Sequence, residues 1–151
     1  MNTKSFSTLD FAAVVAACGT QPIQSDPWLD DPVIVVRAAT GDTIRLRLGQ
    51  TAEVDVGADR VRIAFDGVTE DSRCPHGVDC VWSGDAAASV RLSAPGTAAI
   101  TADLHTHIEP RRVEYAGRVV LLLDVEPYPR YGGSIAQDEY VAVLRVTGDP
   151  S

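Results

Sequence analysis

The stretch Ile44-Arg45-Leu46-Arg47-Leu48-Gly49-Gln50-Thr51-Ala52-Glu53-Val54-Asp55-Val56 decides the fold class. Ile44, Leu46 and Leu48 alternate with Arg45 and Arg47, and Ala52, Val54 and Val56 alternate with Glu53 and Asp55. Successive side chains of a strand point to opposite faces, so each half carries one apolar and one charged face. With Gly49-Gln50-Thr51 as the turn, Leu46 is expected opposite Val54, Arg47 opposite Glu53 and Arg45 opposite Asp55. One register satisfies both faces, and it predicts a hairpin.

The same period runs outward along the chain. Val61, Ile63 and Phe65 alternate with Arg60, Arg62 and Ala64; Ala86, Ala88, Val90 and Leu92 come next, with Ser89 and Arg91 turned outward. From Ala98 to Ile108 the apolar face is Ile100, Ala102, Leu104 and Ile108. Arg118 to Val125 is almost wholly apolar, which predicts a central strand, and Tyr140, Ala142, Leu144 and Val146 mark the last one. Seven or eight strands with no helix after residue 18 predict an all-β, antiparallel β-sandwich. Loops of uneven length, such as Glu126 to Asp138, favour Greek-key crossings over the alternative, a small β-barrel.

A chain of 151 residues suits one domain with a short appendage, because two separate cores would each be marginal. The formal net charge of -8 argues against nucleic acid or an anionic lipid surface as partner, since both require a basic patch. No apolar run reaches the length of a membrane-spanning helix.

The chain opens with Met1-Asn2-Thr3-Lys4, and an apolar run from Phe11 to Ala17 ends at Cys18. A basic start, an apolar stretch and small residues before a cleavage point describe a secretory signal. Val15-Ala16-Ala17-Cys18 resembles the bacterial lipobox. The resemblance implies that residues 1–17 are a signal peptide, removed after the Cys18 thiol is lipidated. Gly19 is the next residue, so the aspartate linked to inner-membrane retention in many Gram-negative bacteria is absent. Thr8 and Asp10 interrupt the apolar region, and an insertion-opposing carboxylate there leaves a second reading open. In that reading Ser7 and Asp10 cap a short cytosolic helix with Phe11, Val14 and Val15 on one face. Residues 18–32 have no period and read as a lipidated N-terminus and linker, leaving residues 33–151 as the β-sandwich domain. The address expected is the bacterial cell envelope, on a membrane surface.

With Cys18 set aside, Cys74 and Cys80 form an even pair for an oxidising compartment, which predicts a disulfide. Pro75 and Gly77 let so short a loop close, and the closure is worth about 2 kcal/mol. A redox pair or zinc ligation is the alternative, but there is neither CxxC spacing nor a second cysteine pair.

Asp66 to Gly84 reads DGVTEDSRCPHGVDCVWSG. It resembles a segment of small bacterial exported and lipid-anchored proteins of uncharacterised function. The resemblance lies in Glu70-Asp71-Ser72-Arg73-Cys74-Pro75, Cys80, Trp82 and Gly84, with Gly49-Gln50-Thr51-Ala52 and Val125-Glu126-Pro127-Tyr128-Pro129 beside them. It implies a compartment and a fold, and no activity. As structure, Asp71 and Ser72 suit a turn, Arg73 can bridge to Asp71, Asp79 or Asp85, and Trp82 is expected to pack over the disulfide between the sheets. As function, a disulfide-stiffened surface loop presents Arg73, His76 and Asp79 to a partner. Tyr128, Arg130 and Tyr131 share a Pro/Gly loop and are residue types enriched at interfaces.

Two histidines carry the sharpest chemical hint. His105 and His107 sit at i and i+2, so on one strand both imidazoles point the same way, as a metal site on a β-scaffold requires. Two ligands open to water bind weakly, and no third stands close in sequence. Ser83 lacks a nucleophile-elbow pattern, and Gly132-Gly133 lacks the strand-to-helix context and the lysine of a phosphate cradle. No cofactor is expected. Together these residues point to a non-catalytic, lipid-anchored envelope domain that binds an envelope protein or polymer through its loops. The alternatives are a weak metal-binding periplasmic protein using His105 and His107, and an envelope hydrolase with dispersed carboxylates.

Overall fold

The computed structural model describes residues 35–56 and 59–148. The expected signal peptide, Cys18 and the linker lie outside the described residues. Among the described residues nine strands succeed one another: β1 Val35–Ala39, β2 Thr43–Arg47, β3 Thr51–Val56, β4 Asp59–Asp71, β5 Ala86–Ala94, β6 Thr97–His105, β7 Arg112–Tyr115, β8 Arg118–Glu126 and β9 Val141–Gly148. They form a five-stranded sheet in the order β1-β3-β4-β5-β6 and a four-stranded sheet in the order β2-β9-β8-β7. All neighbours are antiparallel except β1 and β3. The sheets do not close into a barrel: this is a sandwich. Read backward along the chain, β9, β8 and β7 are joined in sequence and β2 returns beside β9, the order of a Greek key whose long connection is the other sheet.

Alternation built this core. Ile44, Leu46, Ala142, Leu144, Val146, Val120 and Leu122 from one sheet meet Ala52, Val54, Val61, Ile63, Phe65, Val90 and Leu92 from the other, and all are buried. The almost wholly apolar β8 is an interior strand, paired on both sides by β7 and β9.

The expected hairpin between residues 44 and 56 does not form. Leu46 pairs with Ala142 on β9, while Val54 pairs with Val61 on β4. Gly49 turns the chain at a φ of 74° and passes it from one sheet to the other, with its N–H donating to Phe65 O at 3.0 Å. The acids of β3 find arginines all the same, Glu53 opposite Arg62 and Asp55 opposite Arg60. The reason is general: a period of two fixes which face is buried and leaves the neighbour open. Arg60 and Arg62 repeat the spacing of Arg45 and Arg47.

β6 departs from expectation in a second way. Of its predicted apolar face only Leu104 is fully buried, and Ile100 and Ile108 are exposed. β6 is an edge strand facing a sheet one strand narrower, and it ends at His105, before Ile108.

Irregularities in β4 shape the end of the sandwich where that strand runs out. Its pairing with β5 shifts at Phe65/Gly67 and Val68/Glu70, and Gly67 has a φ of 130°. The Gln137 side chain bonds the strand there, donating to Val68 O at 2.7 Å and accepting from Val68 N–H at 3.1 Å. An amide side chain thus replaces a missing strand and ties the loop before β9 to the far end of β4.

Candidate functional site

β4, β6, β8 and β2 end, and β5, β7 and β9 begin, at one pole of the sandwich. Four connections therefore cluster there, residues 48–50, 72–85, 106–111 and 127–140, and the last three concern the candidate residues. Every site residue anticipated from sequence in the folded domain lies on them or at their borders.

Arg73 holds the pole together. Its side chain is wholly out of water and makes a two-pronged contact with Asp71, Nε to Oδ1 at 2.8 Å and Nη2 to Oδ2 at 2.6 Å. Nη2 also donates to Pro127 O at 3.1 Å, and Nη1 donates to Val125 O. Tyr140 donates its hydroxyl to Asp71 Oδ2 at 3.0 Å. Burial is the largest single influence on Asp71 and pushes its pKa up, but the bonds and charge of Arg73 with the Tyr140 hydroxyl outweigh it and hold Asp71 below the usual carboxylate value. Of the three acids open to Arg73, it takes Asp71. The expectation that Arg73 faces a partner is corrected: it is a buried clasp between the two sheets.

Cys74 and Cys80 are joined, with their Cα atoms 5.9 Å apart. The loop they close is zipped to the Pro/Tyr loop. His76 N–H donates to Pro129 O at 2.9 Å, Tyr131 N–H donates to His76 O at 3.3 Å, and the His76 and Tyr128 rings stand 4.5 Å apart. The guanidinium of Arg73 lies 5.1 Å from the centre of the Tyr128 ring. Thus His76, Tyr128, Arg130 and Tyr131 come together, and Asp79 sits exposed on the same closed loop.

Beside this scaffold, apolar side chains stand in water. Val81 is 94% exposed, Trp82 73% and Tyr131 76%. The expectation that Trp82 packs over the disulfide between the sheets is corrected. Trp82 lies on a short segment held at both ends, by the disulfide at Cys80 before it and by the close approach of Gly84 to the carbonyl of Ser72 after it.

Asp85 organises the neighbouring corner. Its Oδ2 lies 2.6 Å from His105 Nδ1, while Oδ1 accepts from the Thr106 hydroxyl at 3.0 Å and from His107 N–H at 2.8 Å. Burial, the largest influence, raises the Asp85 pKa, yet these bonds and the His105 charge together hold it below the ordinary carboxylate value. An ionised carboxylate can only accept, so His105 meets Asp85 through Nδ1–H. His107 lies one step past the bend at Thr106, with its Nδ1 3.1 Å from the Thr106 hydroxyl. Since β6 ends at His105, the two imidazoles do not share a strand face. Among the described residues no group of three His, Cys, Asp or Glu stands close enough to hold a metal ion. No hydroxyl or thiol bonds His105 there either, so the Asp85–His105 pair lacks the nucleophile that an acyl-transfer triad requires.

Between the 106–111 connection and the end of β8 lies a hollow of about 500 Å³ lined by Thr106, His107, Arg111, Leu123, Asp124 and Tyr128. Sequence reasoning singles out His107 and Tyr128, weighs Asp85 only as a partner for Arg73, and passes over Arg111 and Asp124. Asp85 meets His105 through the pairing of β5 with β6, and no local pattern brings Arg111 beside Asp124.

Compared with known proteins, the chain matches no family model, no curated protein and no solved structure.

Proposed function

We propose that the protein is a non-catalytic, lipid-anchored binding domain of the bacterial cell envelope, which meets an envelope protein or polymer at the pole carrying residues 74–85 and 127–131. One observation carries the reading: a loop closed by a disulfide and zipped to its neighbour is followed directly by Val81 and Trp82, both out in water, while Tyr131 of the neighbouring loop is exposed as well. Ordering a surface loop costs conformational entropy, and leaving large apolar side chains on it forgoes their burial. Rigid presentation of aromatic side chains is what a recognition surface requires, because ordering is then complete before the partner arrives. The lipobox-like Val15-Ala16-Ala17-Cys18 and the excess of acid support an anchored, exported domain without a nucleic-acid partner.

The test has two arms. Expressed in a bacterial host with labelled fatty acid, the wild-type chain takes up label and Cys18→Ser does not. Protein exported and acylated in that way is then titrated against cell-wall and membrane fractions. Trp82→Ala weakens retention by about tenfold, the loss expected of an aromatic anchor at an interface, while Thr101→Ala on the outer part of β6 leaves it unchanged. An unlabelled chain with Met1 intact in the cytoplasm removes the anchor, and retention indifferent to Trp82 removes the binding pole.

A further inference from the structure

The hollow of about 500 Å³ falls within the range of about 300–1,000 Å³ usual for small-ligand sites, and its walls carry polar groups with unused bonding capacity. Arg111 is the first. It is half-buried, its Nε is out of water with no acceptor, and no carboxylate pairs with its side chain among the described residues. A guanidinium is always charged, and a buried N–H without a partner costs about 1–3 kcal/mol. The chain has 21 acidic residues against 13 basic ones, so an unpaired arginine does not arise from any shortage of partners. The nearest acid in sequence, Glu109, bonds the backbone N–H of Arg111 at 2.9 Å and leaves its guanidinium alone.

Asp124 is the second. Its Oδ1 accepts from the backbone N–H of Val125 at 2.8 Å, and Oδ2 has no hydrogen-bond partner among the described residues. The Tyr128 hydroxyl is likewise without a partner there, although the ring itself is fixed by Arg73 and His76. Thr106 differs from all three: its hydroxyl is consumed by Ala86 N–H at 2.9 Å, by Asp85 and by His107. Thr106 therefore builds the wall, and Arg111, Asp124 and Tyr128 offer the chemistry.

One cation, one anion, a neutral hydroxyl, the His107 imidazole with its Nδ1 already against Thr106, and the apolar Leu123 select among ligands. A phosphate dianion gains Arg111 but meets the Asp124 charge in a chain already at -8. A neutral sugar supplies hydroxyls to Asp124 and leaves the guanidinium without a counter-charge. A sugar that carries a carboxylate satisfies both, the carboxylate against the Arg111 fork and a ring hydroxyl donating to Asp124 Oδ2. We propose that this hollow binds a carboxylate-bearing sugar unit, with Arg111 meeting the carboxylate and Asp124 a neighbouring hydroxyl. The proposal rests on the binding-domain reading above and gives the envelope partner a chemical class.

The experiment titrates the exported, acylated full chain with three probes: trigalacturonate, the corresponding uncharged trisaccharide and inorganic phosphate. Trigalacturonate binds about tenfold or more tighter than either of the others, a difference of about 1.4 kcal/mol. Arg111→Gln abolishes that preference, Arg111→Lys recovers part of it because charge returns without the fork, and Asp124→Asn weakens binding severalfold. Unchanged thermal unfolding shows that each variant is folded. Equal affinity for the charged and uncharged trisaccharides, or a preference untouched by Arg111→Gln, overturns the proposal. If envelope fractions still bind and still depend on Trp82, that failure belongs to the sugar assignment alone. If they do not bind either, the binding-domain reading falls with it.

Discussion

The guanidinium of Arg73 lies against the carboxylate of Asp71 with no exposure to solvent, Nε 2.8 Å from Oδ1 and Nη2 2.6 Å from Oδ2. Only Ser72 separates them in sequence, yet the remaining donors of Arg73 reach the carbonyls of Val125 and Pro127 at the end of the other sheet. Tyr140, just before β9, closes the group from its own side. The pair thus fastens the loop-bearing pole of the sandwich.

Removing one partner leaves the other charge buried and uncompensated. Arg73→Met or Asp71→Leu should each cost about 3–5 kcal/mol in urea unfolding. The double variant should cost clearly less than the sum, since no orphan charge remains. Single-variant losses below about 1 kcal/mol would show that the clasp does not hold the pole.

Acid should loosen the same pole. Asp71 and Asp85 both have native pKa values held below the ordinary carboxylate value of about 3.9. For a depressed carboxylate the unfolded chain takes up protons first as pH falls, so the stabilisation is complete above about pH 4 to 5 and is lost as pH drops through the native values beneath it. Stability measured from pH 7 downward should therefore hold until about pH 5 and then decline, and Asp71→Asn should flatten part of that decline. A stability that rises on acidification through this window would contradict both assignments.

The disulfide spans six positions in sequence, and closing so short a loop is worth about 2 kcal/mol. Replacing Cys74 and Cys80 together by Ser should lower stability by about that amount, with amide exchange rising first in residues 74–82. The Arg73 clasp lies outside the closed loop, so the rest of the sandwich should keep its protection. Free, readily alkylated thiols in the exported wild-type protein would remove the covalent brace from the account.

Alternation encodes which face of a strand is buried, and it makes the core legible in the sequence. Ile44, Leu46, Ala52, Val54, Ile63, Val90 and Leu144 each read as core residues on that period, and all are buried. Pairing is not legible, because the arginines of β2 and of β4 have the same spacing and would suit Glu53 and Asp55 equally, although only those of β4 meet them. Residue type misleads at two positions. Arg73 reads as a surface cation, and its burial depends on carbonyls 52 and 54 residues away. Trp82 reads as core, and its exposure depends on backbone contacts made by Gly84. The corner of Asp85 and His105 and the hollow of Arg111 and Asp124 both form across strand pairings, where no local pattern reports them.

Gly84 is the most demanding single position at the pole. Its φ is +72°, and a Cβ built there falls 1.9 Å from Ser72 O and 2.7 Å from Arg73 Cα. The close approach is enforced on both sides, by Cys74 N–H donating to Ser83 O at 2.9 Å and Ser72 N–H donating to Asp85 O at 2.7 Å. Backbone cannot swing aside as a flexible side chain does, so a methyl group must part the 72–74 and 83–85 segments and disturb Arg73 and Asp85 together. Gly84→Ala should cost about 3 kcal/mol or more, the sum of left-handed backbone strain and overpacking. Gly77 separates the two causes. Its φ is +94°, yet nothing lies within 4 Å of the corresponding Cβ, so Gly77→Ala carries the strain without the clash. Its cost should stay near 1–2 kcal/mol in the same urea titration. Equal losses for the two variants would show that backbone conformation alone sets the cost, and that the approach of Gly84 to Ser72 is not what shapes the pole.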